Sequence, residues 1–386
     1  MKISYNWVQK YWDIGYISPE EYRERIDRSG LTVEKETRLY AKDGHVSKDN
    51  IVWDVDIPDW RRDLQSYMWL AKENSALFGK MYYEGNIYPI MGPDYSWAGN
   101  LHSEKTELFL SLSLHSKTSK CTLISGNVIN EIELHSPVPA EIYDEVYAEG
   151  YDVDNMLDAL EVYCVRDIAS SIYFLDADKF PSRSITAMEA LEDGHLQYKG
   201  KTVTYRKGDV VFEAEGKIIG LAGIFFDDSV RATVDTKKLI VIGFIIDKNE
   251  IKRVIKRTGI ETYAGKMAAM GANHGDATKV VANANAYLYK YAKAKNIEAI
   301  TNLINMETAR KYIKVSVDEI NDVLDANYTF EEIDEIIHKK YVLSLNVDED
   351  KNYFFVKFCS YDDYDYSCDI AQMIINFTDC KRVGER

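Results

Sequence analysis

Four basic side chains cluster on one predicted helix, residues 249–258, and could bind phosphate. They are Lys252, Arg253, Lys256 and Arg257. Residues four apart lie on the same side of a helix, so these cations form two adjacent rows of like charge, and repulsion within each row costs about 0.2–0.5 kcal/mol. An RNA backbone or an acidic partner would relieve that repulsion, and so would acidic side chains of the same chain. The pattern therefore predicts an RNA-binding surface, an internal contact or a solvated helix face.

The distribution of charge along the chain favours a local rather than a global phosphate-binding surface. The formal net charge is −16 over 386 residues, which disfavours a protein that coats nucleic acid with its whole surface. Residues 231–314 nevertheless contain 16 Lys and Arg against 7 Asp and Glu, whereas residues 313–386 contain 8 against 17. A basic segment inside an acidic protein predicts that phosphate contacts, if there are any, are made there.

Several other chemistries are disfavoured by the sequence. It has no Ser-His-Asp order, no phosphate-binding P-loop and no metal-ligand cluster, and its five scattered cysteines form no C-x-x-C pair. A calcium loop beginning at Asp362 would need Gly at its sixth position, where Ser367 stands. No apolar run reaches the roughly 18–20 residues of a membrane helix, and the N-terminus has no signal-peptide core. We therefore expect a cytoplasmic protein with reduced thiols, no metal and no cofactor.

The elements around the basic helix are predicted from apolar runs and capping residues. Two short runs rich in Ile, Val and Phe, 218–226 and 239–246, predict buried strands. Asp247 is a predicted N-cap with Glu250 as its capping-box partner, and Gly259 ends the helix. Further along the chain, the pattern predicts a hairpin turning at Lys199-Gly200 and a long helix over 276–295. Together these signals predict an α+β protein of several domains with mixed or antiparallel sheets.

The beginning of the chain resembles one known family. The segments MKISYNWVQKYWDIG, SPEEYRERIDRSGLTVE and IVWDVDIPDWRRDLQSYMWLAKENSALFGK follow one another there. In order and spacing they resemble the N-terminal module of the phenylalanine–tRNA synthetase β subunit. Residues 34–50 are too few to hold the OB-fold domain that bacterial members insert at this place, so the resemblance implies that this RNA-binding insert is missing.

The resemblance continues and implies three modules. Residues 1–84 resemble the N-terminal α/β module, and residues 85–312 resemble the editing module, which hydrolyses tyrosine mistakenly attached to phenylalanine tRNA. Residues 313–386 resemble the winged-helix-like module that follows, with 360–365 standing where the family has a Ser-x-Arg-x-Asp-Ile run. No segment resembles the synthetase-like core or the anticodon-binding domain, so no aminoacylation is expected from this chain alone.

The editing pocket implied by the resemblance is altered in this sequence. The positions that correspond to the pocket hold Asn155, Asp158, Leu160, Glu161, Tyr173, Ile242 and Thr262. Ester hydrolysis needs a positioned water and groups that stabilise the oxyanion, and Leu, Ile and Tyr supply little of either. Glu161 as a base, assisted by His274, is the remaining catalytic arrangement.

Three functions therefore stay open. The first is a non-catalytic relative of the β subunit that binds tRNA or another RNA, or a synthetase subunit, through its degenerate editing-like module. The second is a stand-alone hydrolase of mischarged tRNA with a rebuilt pocket. The third is a protein-interaction module that binds or modulates a translation component or another host protein complex. The basic helix favours the first, the altered pocket weighs against the second, and the acidic net charge favours the third over broad RNA binding.

Overall fold

The computed structural model describes residues 1–11, 17–57, 62–78, 111–179, 182–270, 276–304, 313–339, 343–347, 353–357 and 374. The chain forms two compact units. Unit 1 combines Met1–Asn86 with Ala309–Arg386, and unit 2 is Ile87–Thr308. Helices and mixed or antiparallel sheets occur in both, so the predicted α+β class is confirmed. The division into three modules stays a prediction.

The first part of unit 1 is a small antiparallel sheet with packed helices. Its elements are β1 (Lys2–Ser4), α1 (Tyr5–Val8), α2 (Pro19–Arg28), β2 (Thr32–Leu39), β3 (Asn50–Asp56) and α3 (Tyr67–Phe78), with strand order β1-β3-β2. Aromatic stacking fills its core, with Trp7 against Tyr67 at 4.1 Å between ring centroids. Ser18 caps α2 by accepting the backbone N–H of Glu21.

Unit 2 is built on two five-stranded sheets and a two-stranded hairpin. Its strands are β4 (Ser113–Ser116), β5 (Cys121–Glu131), β6 (Ser171–Asp176), β7 (Ser184–Glu189), β8 (Gly194–Tyr198), β9 (Lys201–Tyr205), β10 (Val210–Ala214), β11 (Lys217–Leu221), β12 (Phe225–Phe226), β13 (Leu239–Ile246), β14 (Lys295–Ile297) and β15 (Thr301–Ile304). One sheet has the order β12-β11-β10-β7-β4, and only β4 and β7 run parallel in it. The other has the order β14-β5-β13-β6, with β15 also paired to β5.

The helices of unit 2 are α4 (Ala140–Ala148), α5 (Met156–Ile168), α6 (Lys248–Thr258), α7 (Tyr263–Met270) and α8 (Asp276–Tyr291). Strand β13 is buried along its whole length and lies between β5 and β6. It leads directly into α6, the basic helix, so the position of α6 is fixed by the most buried strand of the unit.

Two predicted elements differ from the observed ones. The run 218–226 is not one strand, because a turn at Gly223, whose φ is +81°, separates β11 from β12. The predicted helix 276–295 ends at Tyr291, and Lys295 begins β14 instead. Strand β13 and the hairpin turning at Lys199-Gly200 are confirmed.

The caps of α6 are confirmed, but its capping box is wrong. The Asp247 carboxylate accepts the backbone N–H groups of Asn249 and Glu250, and Gly259 ends the helix with φ at +66°. The reciprocal bond from Asp247 is absent between these described residues, because its N–H donates to the carbonyl of Lys120 at 2.8 Å. The Glu250 carboxylate is paired with Arg253 instead.

The second part of unit 1 contains β16 (Ile313–Ser316), α9 (Val317–Leu324), α10 (Phe330–Lys339), β17 (Leu343–Val347) and β18 (Tyr353–Lys357). The strand order is β16-β18-β17, and Val315, Ile320, Ile333 and Ile374 form its buried core. Ser316 and Glu319 make a complete capping box for α9. The run 360–365 lies outside the described residues, and the winged-helix assignment stays a prediction.

Candidate functional site

The basic helix α6 turns one of its two charged rows toward the rest of unit 2. Asp209, whose side chain is fully buried, accepts hydrogen bonds from both arginines of that row. The distance from Arg253 Nη2 to Asp209 Oδ1 is 2.6 Å, and Arg257 pairs with the other carboxylate oxygen. Arg257 also donates from Nη1 to the carbonyl of Thr204 at 2.9 Å. These two arginines therefore tie α6 to strand β9 and to the loop that follows it.

The second row of α6 faces solvent. Lys252 and Lys256 are both exposed. Within the part of the chain that the structure describes, neither side chain has an ion pair or a hydrogen bond. The four predicted cations are thus divided into an inner pair, Arg253 and Arg257, and an outer pair, Lys252 and Lys256. Phosphate binding by these residues stays a prediction.

The first residues of the altered pocket cap helix α5. The Asn155 side chain accepts the backbone N–H of Asp158 at 3.0 Å, and its Nδ2 donates to the Asp158 carboxylate at 2.8 Å. Both residues therefore stabilise the first turn of the helix. Leu160 is fully buried and belongs to the hydrophobic core.

Tyr173 and Thr262 meet at one backbone carbonyl. The Tyr173 hydroxyl donates to Ile224 O at 2.9 Å, and the Thr262 hydroxyl donates to the same oxygen at 2.8 Å. Thr262 also accepts the backbone N–H of Gly265 and so caps α7. Ile242 lies directly opposite Tyr173 in the pairing of β13 with β6 and is fully buried.

A cluster of aromatic rings fills the space around Tyr173. Its ring stacks on Phe244 at 5.3 Å and meets Phe226 edge-on at 5.4 Å. Phe212 completes the cluster, 4.7 Å from Phe244 and 5.1 Å from Phe226. Burial raises the pKa of Tyr173 well above its ordinary value, which keeps its hydroxyl neutral. This part of the site is a packed, hydrogen-bonded core.

Glu161 differs from these neighbours because it is a half-buried carboxyl group. Burial raises its pKa to about 7, against the opposing influence of Arg231 and Lys199, whereas Asp158 adds to the rise. Among the described residues it makes no hydrogen bond or ion pair. A carboxyl group of this pKa can exchange a proton near neutral pH.

The surroundings of Glu161 include residues that the sequence reasoning missed. Arg231 lies over the ring of Tyr198, with its guanidinium carbon 5.4 Å from the ring centroid, and pairs with Asp228 at 3.7 Å. Asp228 in turn accepts the backbone N–H groups of Lys199 and Gly200. The sequence predicts the hairpin turn at Lys199-Gly200, but no sequence pattern indicates that Lys199 lies close enough to Glu161 to influence its pKa.

The other residues considered as catalytic groups, metal ligands or reactive thiols do not extend this site. His274 lies outside the described residues. Over the described ranges, no group of three His, Cys, Asp or Glu side chains is arranged to hold a metal ion. A search of the same residues for a helix long and apolar enough to cross a membrane found none. The two cysteines described, Cys121 and Cys164, are buried free thiols.

Comparison with known proteins supports one relationship. No protein-family model matches the chain. The phenylalanine–tRNA ligase β subunit of Dehalococcoides mccartyi strain CBDB1 is 21% identical over 276 residues, which are 71% of this chain and 32% of that protein. The β subunit of Fusobacterium nucleatum is 19% identical over 300 residues, 76% of this chain and 35% of that protein. The chain thus spans about a third of the length of the curated relatives it matches.

A solved structure is also similar. It is an N-terminal fragment of the phenylalanyl-tRNA synthetase β subunit from Pyrococcus horikoshii, with a TM-score of 0.45, 12% identity, and coverage of 98% of this chain and 99% of that one. Eighteen curated proteins match the chain significantly, and the two described above are both phenylalanine–tRNA ligase β subunits. The curated relatives confirm the resemblance read from the sequence: this chain is similar to the β subunit of phenylalanine–tRNA ligase.

Proposed function

We propose that the protein binds RNA through unit 2, and that it neither aminoacylates nor edits the RNA it binds. The observation that carries the proposal is the outer pair of α6. Lys252 and Lys256 lie one turn apart on a rigid helix, are exposed, and have no ion pair among the described residues. Two such cations are suited to backbone phosphates, which dominate the affinity of proteins for nucleic acids. The names of the relatives make tRNA the first RNA to test.

The altered pocket supports the non-catalytic part of the proposal. Leu160 and Ile242 are core residues, and the Tyr173 hydroxyl is engaged by the carbonyl of Ile224. Leu160 and Ile242 have no polar side-chain group, and the Tyr173 hydroxyl already donates its hydrogen, so none of the three can donate a hydrogen bond to an oxyanion. We therefore expect hydrolysis of tyrosylated phenylalanine tRNA at the rate of buffer alone.

The test of RNA binding is a salt titration with a matched control. The full chain is titrated with a phenylalanine tRNA transcript between about 50 and 200 mM salt. The double variant Lys252→Gln/Lys256→Gln should bind about tenfold more weakly, and the slope of log K against log salt should flatten by about one to two units for two lost phosphate contacts.

The control variant removes the same charge elsewhere in unit 2. Lys237 and Lys295 are exposed and lie at the other end of strand β13 from α6, because Lys237 precedes Leu239 and Lys295 pairs with Glu131 of β5. The variant Lys237→Gln/Lys295→Gln should bind nearly as the wild type does. Equal weakening by both variants, or no salt-dependent binding by the wild type, would refute the proposal.

One observation favours a second candidate function, hydrolysis at Glu161. General bases work best when their pKa lies near the operating pH, and burial raises the pKa of Glu161 to about 7. Hydrolysis of tyrosylated tRNA that rises with pH through this range and disappears in Glu161→Gln would establish a rebuilt hydrolase. It would replace the non-catalytic proposal.

A further inference from the structure

The β8–β9 hairpin is the most basic part of unit 2 outside α6. Residues 194–207 contain four Lys and Arg and no Asp or Glu. The four cations are all exposed: Lys199 and Lys201 near the turn, and Arg206 and Lys207 at the base. None of the four has an ion pair in the part of the chain that the structure describes.

The two faces of the hairpin differ in character. Leu196 and Val203 lie opposite each other and are buried, so this face packs on unit 2. The other face carries exposed, uncharged polar side chains in cross-strand pairs. His195 Nδ1 lies 3.1 Å from the Thr204 hydroxyl, and Gln197 Nε2 lies 3.0 Å from the Thr202 hydroxyl. Strand alternation places Lys201 on the same face as Leu196 and Val203, although its side chain is exposed. The outer face is therefore a row of hydrogen-bonding groups, with Lys199 at the turn and Arg206 and Lys207 at the base.

The hairpin is held rigidly in this position. The Asp227 carboxylate accepts the backbone N–H of Gln197 at 2.6 Å, and the two oxygens of Asp228 accept those of Lys199 and Gly200. A surface that is fixed before binding loses little conformational entropy when a ligand binds it.

The hairpin and helix α6 form one continuous structure. Arg257 donates to the carbonyl of Thr204 in β9, and Asp209 accepts both the arginines of α6 and the backbone N–H of Arg206 at 2.7 Å. Lys256 precedes Arg257, and consecutive helix residues point about 100° apart, so the outer pair lies on the flank of α6 next to the flank that contacts the hairpin. Of the two acidic residues that precede β8, Asp193 lies at the base of the hairpin, where its carboxylate accepts the backbone N–H of Lys207 at 2.8 Å.

We propose that the outer face of the β8–β9 hairpin is the second half of an RNA-binding surface whose first half is the outer pair of α6. The inference rests on the proposed function. Lysine and arginine contact phosphates, while hydroxyl, amide and imidazole groups hydrogen-bond the ribose 2′-hydroxyls that distinguish RNA from DNA. Cations together with hydrogen-bonding groups favour RNA over an acidic protein surface, because cations alone would suffice to bind acidic side chains.

The test uses the full chain, the same tRNA transcript and two double variants. Lys199→Gln/Lys201→Gln removes the cations of the turn, and Arg206→Gln/Lys207→Gln removes those of the base. Each should bind about tenfold more weakly than the wild type, with a salt slope flatter by about one to two units. Melting temperatures should be unchanged, because all four side chains are exposed. The control is again Lys237→Gln/Lys295→Gln.

The outcomes separate the inference from the proposed function. If the α6 variant weakens binding and both hairpin variants behave as the control, the proposed function stands and the hairpin inference fails. If the wild type does not bind RNA, both fail. A further measurement needs no variant: bound tRNA should protect Lys199 and Lys201 of the wild-type chain from acetylation but leave Lys237 and Lys295 reactive. Equal acetylation of the four lysines with and without tRNA would overturn the hairpin inference, as would protection by an equally acidic polypeptide but not by tRNA.

Discussion

The two arginines of α6 offer a sharp test of whether its charge is structural. In Arg253→Gln/Arg257→Gln, the Asp209 carboxylate stays fully buried but loses both cationic partners. Among the described residues, only the N–H of Arg206 still donates to it. Breaking a buried ion pair by removing one side typically costs about 3–5 kcal/mol. Arg253 is half exposed, with 49% of its side chain accessible, so part of its contribution is screened. We therefore expect a loss of about 2–4 kcal/mol in the free energy of unfolding.

This loss should be visible by thermal melting. At about 2–4 °C per kcal/mol for a unit of this size, the melting temperature should fall by roughly 5–15 °C. The matched control lies on the same helix: Lys252→Gln/Lys256→Gln removes the same charge from exposed positions and should change the free energy of unfolding by less than about 0.5 kcal/mol.

A third variant identifies the cause. Asp209→Asn added to the arginine double variant removes the unpaired buried charge and should restore about 1–2 kcal/mol, because the cost is the buried carboxylate rather than lost packing. An unchanged melting temperature in the double variant, together with a flattened salt slope for tRNA binding, would refute this reasoning. It would show that the arginines contact phosphate instead.

Two further predictions concern the turn beside Tyr173 and the nearby carboxyl group. Gly223→Ala should destabilise unit 2 by about 1–3 kcal/mol in urea unfolding, because φ is +81° and the new Cβ would lie 2.6 Å from Ile251 Cδ1. Gly216→Ala, also in unit 2 and at positive φ but in open space, is the control and should cost less. For Glu161, the folded pKa of about 7 exceeds the ordinary 4.5, so folding favours the protonated form and stability falls as pH rises from about 4.5 to 7. Compared with Glu161→Gln, the wild type should lose about 1–3 kcal/mol between pH 4.5 and 8, the upper value being the full shift and the lower allowing for solvent screening. A constant difference between the two proteins over this range would contradict the raised pKa.

The strands and caps were predictable because their signals are local. Strand β13 agrees with its apolar run, residues 239–246, and Asp247 and Gly259 cap α6 as their residue types predict. The prediction that Glu250 completes the capping box was wrong for a non-local reason. The N–H of Asp247 is already used by the carbonyl of Lys120, which pairing with strand β5 brings into reach. The turn at Gly223 that divides the run 218–226 into two strands was also not predictable, because the same apolar pattern is compatible with one strand or with two strands joined at a glycine.

The site was less predictable than the fold, because its contacts join distant segments. Tyr173 was recognised as a departure from the family pattern, but nothing in the sequence shows that its hydroxyl donates to Ile224, 51 residues away. Likewise, Glu161 gave no sign that burial raises its pKa or that Arg231 and Tyr198 lie nearby. The residue types at the pocket positions indicate which polar groups are missing. They do not indicate whether the pocket is open or filled, and around Tyr173 it is filled by aromatic rings.

The division of α6 into an inner and an outer pair shows where sequence reasoning reaches its limit. The apolar positions 251, 254 and 255 define the buried side of the helix. At 3.6 residues per turn, the lysine row lies about 130° from that side in one direction and the arginine row about 130° in the other. The two rows are therefore equivalent on the helix, and periodicity gives no reason to turn either of them inward. What distinguishes them is the fully buried Asp209, which follows the β8–β9 hairpin and pairs with the arginine row. It lies 44 residues before Arg253 and 48 before Arg257 in the sequence. The cationic row beside the buried carboxylate holds the helix in place, whereas the lysine row on the opposite flank stays exposed.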